Sequence, residues 1–166
     1  MFGKKKPQPP PLPPFPLQVL TEDQLIEGTI ASETDFVYHS RGLVLPIPLS
    51  SVQIRGTGPL DLTPRTYAQF TVMAHAAVAV IPRVDYTLTK EYEIWKLCTY
   101  PMQGVFHFGP YVIQGKLMLP GKDFFRMYLP MLDVTINSQY PGARMGELRA
   151  PFAVVYLDWL SGYELR

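Results

Sequence analysis

The side chains best equipped for chemistry are few and scattered. Histidine occurs at His39, His75 and His107, and the only thiol is Cys98. A metal site read from sequence needs ligands at close spacing, such as CxxC, HxH or HExxH, and none is present. Neither a metal nor a cofactor is therefore expected. Cys98 lies between Leu97 and Thr99 with Lys96 as its nearest cation, so a Cys98–His107 nucleophile pair is set aside. His107 falls between Phe106 and Phe108, which predicts a strand with the imidazole facing away from both rings. His75 reads as a half-buried residue of an apolar strand. Asp35 and Asp123 occupy matching places in a repeat described below. Facing each other they could do acid/base work. As bend residues they accept backbone N–H bonds, which is what Asp usually does at turns, and that reading is preferred. The stretch "GTGP" (56–59) is followed by no GK[ST], and Pro59 interrupts it at once, so it is no phosphate loop. No catalytic residue is assigned, and the chain is read as non-enzymatic.

Cations at Arg41, Arg55, Arg65, Arg83, Lys116, Lys122, Arg126, Arg144 and Arg149, with Tyr38, Phe125 and Tyr128 among them, are the residue types that bind single-stranded nucleic acid. Acidic residues are spread just as widely, and the net charge is +1, so no basic stripe forms. Nucleic acid is kept as the alternative partner and not the favoured one.

The arm "KKKPQPPPLPPFPLQ" carries the strongest interaction signal. Seven prolines fall within residues 7–16. Proline fixes φ and removes a donor, so an extended or polyproline arm over residues 1–17 is expected, and not a helix or a central strand. PxxP spacings beside a basic flank match the ligands of proline-binding grooves. The candidate partner-binding residues are Lys4, Lys5, Lys6, Pro11, Leu12, Pro14, Phe15 and Leu17.

What positions these residues is a repeat. "QVLTEDQLIEGTI" (18–30) lies over "VFHFGPYVIQGKL" (105–117) without a gap, placing Gly28 on Gly115 and a turn at Glu22-Asp23 on one at Gly109-Pro110. "PLSSVQI" (48–54) then lies over "PMLDVTI" (130–136), and "AQFTV" (68–72) over "APFAV" (150–154). An ordered series of matches that includes a glycine, an Asp-Phe pair and a proline is more than shared apolar alternation, and an internal duplication is inferred. Turn clusters at 55–65 and 137–147 separate the strands. "HAAVAVIPR" and "LDWLSGYEL" supply the last strand of each half. The expected fold is all-β, with two tandem five-stranded barrels: an arm (1–17), a first barrel (18–83), a connector (84–104) with a short helix or helical turn, and a second barrel (105–166). Ile26, Ile30, Val72, Ile113, Val134 and Phe152 are the expected core.

Each half resembles the Sm-like and SH3-like small barrels, and more narrowly bacterial single-barrel proteins of unknown function. The first half carries this on Ile26, Gly28, Ile30, Pro48, Val52, Ile54, Phe70 and Val72. The second carries it on Ile113, Gly115, Leu117, Pro130, Val134, Ile136, Phe152 and Val154. The resemblance implies assembly through strand edges and allows RNA binding, though no RNA-binding loop motif is recognisable here. It supplies no catalytic position.

Composition fits that reading. Of 166 residues, 47% are apolar and 13% aromatic, ample for a core, while only 17% are charged, against about 25% in an average soluble protein. A surface poor in charge often meets another surface. One cysteine excludes an intrachain disulfide. The start "MFGKKKPQPPP" puts prolines where a signal peptide needs an apolar run. "FTVMAHAAVAVIP" is much shorter than the ~20 residues that span a bilayer. No transmembrane segment and a cytoplasmic location are expected. The chain is thus read as a structural or protein-interaction subunit whose partner is another protein or copies of itself. A site between the two halves is the more distant enzymatic alternative.

Overall fold

The computed structural model describes residues 14–30, 46–59, 63–85, 99–119 and 128–166. The first half contributes β1 (Phe15–Leu20), β2 (Gln24–Ile30), β3 (Ile47–Gly56), β4 (Arg65–Val72) and β5 (Ala79–Pro82). The second contributes β6 (Tyr100–Phe108), β7 (Tyr111–Leu119), β8 (Tyr128–Ser138), β9 (Leu148–Tyr156) and β10 (Leu160–Leu165). A single 3-10 turn precedes the last strand of each half, at Ala74–Ala76 and Leu157–Trp159.

All ten strands form one antiparallel sheet in the order β10-β6-β7-β8-β9-β5-β1-β2-β3-β4. The order within each half is the same: last strand, then first, second, third and fourth. The sheet is not closed. The two tandem halves expected from the sequence share this one sheet, because β5 pairs with β9 through Ala79↔Val155 and Val80↔Val154. The physical reason is that both strands are apolar on both faces. Ala79, Val80 and Ile81, and every residue from Phe152 to Tyr156, are buried. A strand buried on both faces needs a layer on each side. Val80, Phe152, Val154 and Tyr156 enter the cluster built on Ile26, Ile30 and Val52, whereas Ala79, Ile81, Ala153 and Val155 enter the one built on Phe106, Ile113 and Ile136.

The two glycines of the repeat do the same job. The ladder between β2 and β3 shifts at Gly28, and that between β7 and β8 shifts at Gly115. Opposite each, the longer strand carries one extra residue in left-handed conformation, Ser51 (φ 51°) and Asp133 (φ 52°). A β-bulge of this kind bends the strand. A Cβ on Gly28 would lie 3.0 Å from Val52 Cγ2, and one on Gly115 would lie 2.8 Å from the Leu132 carbonyl oxygen. At Gly115 the contact is with backbone and only glycine allows it, whereas at Gly28 the Val52 and Leu49 side chains would have to give by a few tenths of an ångström.

One alignment slips. Leu49 faces Phe70, but its counterpart Met131 faces Ala153, and Phe152 faces Leu132. Phe70 therefore corresponds to Ala153, one residue along from the "AQFTV"/"APFAV" match. A one-residue slip turns a side chain to the other face. Phe152 accordingly leaves its own half and packs into the core of the first. The six expected core residues are all buried.

The arm ends sooner than expected. β1 begins at Phe15 and lies between β2 and β5, so Phe15, Pro16 and Leu17 belong to a central strand. Proline is tolerated there because the backbone of Pro16 faces the end of β5: its carbonyl accepts from the Arg83 amide at 2.8 Å, just past the last β5 residue, Pro82. The missing N–H falls where the ladder runs out. The second half likewise starts earlier than 105, since β6 begins at Tyr100. A helical connector concerns residues that, from 86 to 98, lie outside the described ones.

Candidate interaction edges and the cleft between the halves

Strands β5 and β9, the last strand of the first half and the fourth of the second, join the halves. Their counterparts, β10 and β4, lie at the two ends of the sheet, and among the described residues each has a strand on one side only. Backbone N–H and C=O groups on such an edge are open to pairing with another chain. Among the described residues, the large apolar side chains that remain exposed cluster there. Tyr67 stands on β4 and Met73 directly after it, Tyr163 and Leu165 stand on β10, and Tyr100 opens the neighbouring β6. Met73, Tyr163 and Leu165 are each at least half exposed. Beside the end of β4 runs a mainly apolar groove of about 340 Å³ walled by Ile26, Phe70, Val72, Met73 and Trp159, with Glu22 and Asp23 also lining it. At the corresponding place beside β9 lies β5.

The rims of the internal joint carry a buried polar contact. The Tyr111 hydroxyl, on β7, donates to the Thr21 carbonyl at 2.8 Å and lies 2.7 Å from the Thr57 hydroxyl. With its one proton committed to Thr21, it accepts from Thr57. Both Thr57 and Tyr111 are fully buried. Burial pushes the phenol up from 10.0 to about 12, against the Thr57 hydrogen bond, which lowers it. This contact ties the second half to two segments of the first.

On one face of the sheet a polar line crosses four strands. Arg55 pairs with Glu27 at 2.6 Å. Gln18 donates to the other Glu27 oxygen and accepts from Arg83 Nε at 2.7 Å. Arg83 then reaches the Arg149 carbonyl at 3.3 Å, and Arg149 pairs with Glu147. Along this line Arg55 and Arg149 each meet a carboxylate, while Arg83 is held by an amide and a backbone carbonyl.

A cleft of about 280 Å³ separates the turn regions 55–65 and 137–147, walled by Leu25, Arg55, Thr57, Pro64, Met145 and Leu148. Of its ionisable lining groups, Arg55, Arg144 and Glu147, the first and last are held in the pairs just described. Among the described residues, no three of His, Cys, Asp and Glu come together as metal ligands would, and no helix is long and apolar enough to cross a membrane.

Of the residues singled out by sequence, Phe15 and Leu17 are corrected. They are 4% and 1% exposed and fill the first core, so they cannot anchor a partner. Pro14 is exposed just before β1. Lys4, Lys5, Lys6, Pro11 and Leu12 lie outside the described residues, as do His39, Cys98, Asp35 and Asp123. His75 is exposed in the 3-10 turn, and not half-buried in a strand. His107 does face away from the buried Phe106 and Phe108, with Nδ1 2.8 Å from the Gln139 amide nitrogen. The edge residues Tyr67, Met73, Tyr163 and Leu165 were not singled out by sequence. The available signal was contrast: β5 and the Phe152–Tyr156 part of β9 read as unbroken apolar runs, while β4 and β10 alternate with polar residues. No family model matches the chain, and neither the curated proteins nor the solved structures contain a match to it.

Proposed function

We propose that the protein is a non-enzymatic structural subunit that docks through the two end strands of its sheet into a larger assembly. In this reading each half is a small Sm-like or SH3-like barrel derived from one duplicated ancestor, with the bulged strands β3 and β8 bent to serve both sides. Support for the duplication comes from the shared strand order, the paired bulges at Gly28 and Gly115, and the paired 3-10 turns. The observation that carries the docking reading is the concentration of exposed large apolar side chains on and beside β4 and β10. Such side chains on an open edge give a partner both a backbone ladder and apolar contacts. The proline-rich arm ahead of β1, through Lys4, Lys5, Lys6, Pro11, Leu12 and Pro14, adds a second attachment by its sequence.

The test is recovery of native neighbours. The tagged chain is cross-linked in its own cells, and its neighbours are compared with those of Thr71→Pro and Tyr163→Pro chains. Proline on an edge strand removes an outward donor while sparing the inner ladder. Loss of neighbours from the variants is expected. Equal recovery by all three chains would move docking away from the edges.

A further inference from the structure

The chain already contains one copy of the joint that its two ends are able to make. β5 and β9 pair antiparallel, with the Tyr156 amide donating to the Val78 carbonyl at 3.0 Å just beyond Ala79↔Val155. The registers inside each half convert these positions to their counterparts. Val19↔Val80 and Phe106↔Tyr163 place Val80 with Tyr163, and Leu49↔Phe70 with Met131↔Ala153 place Val154 with Thr71. The same joint, made by β10 and β4, would therefore pair Gly162 with Val72 and Tyr163 with Thr71, with the Met73 amide donating to the Ser161 carbonyl. The two strands sit at opposite ends of the sheet, and the structure does not pair them with each other. Among the described residues, a joint in this register would take its second strand from another copy.

We infer that the chain assembles head to tail with copies of itself, β10 of one copy laid along β4 of the next in the register that joins β5 to β9. The inference rests on the docking reading above and names its partner. The groove walled by Phe70, Val72, Met73 and Trp159 lies where the incoming β10 would run. Nothing in that register opposes like charges: Glu164 comes against Phe70, and Leu165 against Gln69.

The side chains also set the strength of the joint. Where the internal joint presents Phe152, Val154 and Ile81, the ends present the counterparts Gln69, Thr71 and Glu164. The joint between copies is thus mainly a backbone ladder with a wetter, smaller apolar contact than the internal one. Interfaces at the small end of the size range are weak and transient. A head-to-tail interface generates a ring where its rotation closes and a filament where it does not.

The experiment is sedimentation velocity of the full chain up to about 500 μM, with single-end variants. Thr71→Pro blocks β4 and leaves β10 able to pair, and Tyr163→Pro does the reverse. Far-UV circular dichroism and melting establish that each is folded, and Thr71→Lys and Tyr163→Lys stand in for a variant that is not. The wild-type chain is expected to form species larger than a dimer. Each variant alone is expected to stay monomeric, and an equimolar mixture of the two to form a 1:1 dimer and nothing larger. A wild-type chain monomeric throughout overturns self-assembly while leaving docking to other proteins to the cross-linking test. Self-association by either single-end variant overturns the head-to-tail geometry, because only a like-with-like contact survives the loss of one end.

Discussion

Tyr111 is the side chain on which the attachment of the two halves can be tested most finely. Its hydroxyl accepts from Thr57 and donates to Thr21, both in the other half. Tyr111→Phe leaves a buried hydroxyl and a part-buried carbonyl without that partner, a cost of about 1–3 kcal/mol by chemical denaturation. The phenol also makes stability depend on pH. Its folded value, about 12, lies above the ordinary 10.0. The folded state therefore favours the protonated form. The contribution is fully present below pH ~10, where the unfolded phenol is protonated too, and is lost as pH rises through about 12. A shift of this size is worth about 2–3 kcal/mol. Denaturation midpoints measured between pH ~9 and ~12 should fall more steeply for the wild type than for Tyr111→Phe, and parallel curves would remove Tyr111 as the cause. Gly115 is the second test. A methyl group there meets the Leu132 carbonyl oxygen at 2.8 Å, which is backbone and cannot swing aside. Gly115→Ala should cost about 1–3 kcal/mol by the same measurement. An unchanged midpoint would mean that β7 and β8 part readily.

At the scale of elements, β1 reverses what the prolines imply. Residues 7–16 look like a solvated arm because proline lacks a donor, yet Phe15 and Leu17 complete a core face together with Val19. Composition dominated the reading, and the alternation of Phe15, Leu17 and Val19 was masked by the proline between the first two. Removing residues 1–13 should leave the melting temperature nearly unchanged, since β1 stays whole. Removing residues 1–17 should cost at least about 3 kcal/mol, because buried Phe and Leu side chains are each worth that order. Equal melting temperatures for the two truncations would detach β1 from the core. Much of the rest was legible. The turns at Glu22-Asp23 and Gly109-Pro110, the ends of β3 and β8, and the paired glycines announce themselves by residue type. The side of the sheet that Phe152 faces did not, because apolar residues on both faces of a strand give no alternation from which to read register. Truncating Phe152 to Ala should cost about 3–5 kcal/mol, and its partners predict that the first half loosens, as read by faster amide exchange at Ile26 and Val52. Loosening confined to residues 100–165 would return Phe152 to its own half.

For the whole molecule, the pairing of β5 with β9 makes one sheet of two halves and leaves their counterparts at the ends. The shared strand order of the two halves has matching sequence stretches, but this joint has none, because pairing between halves depends on which strands are left open after each half has formed its own ladder. The low charge of the chain fits the same picture: an edge meant only for solvent is normally guarded by lysines or prolines, whereas β4 carries a charge only at Arg65 and β10 only at Glu164. The central claim is that these edges are where the protein meets its partner. Backbone amide exchange followed residue by residue against protein concentration tests it most directly. The amides of Gln69, Thr71, Met73 and Tyr163 should exchange quickly in dilute solution and become protected as complexes form, while those of β1 and β7 stay protected throughout. Complexes that form while these four amides continue to exchange quickly would contradict the account.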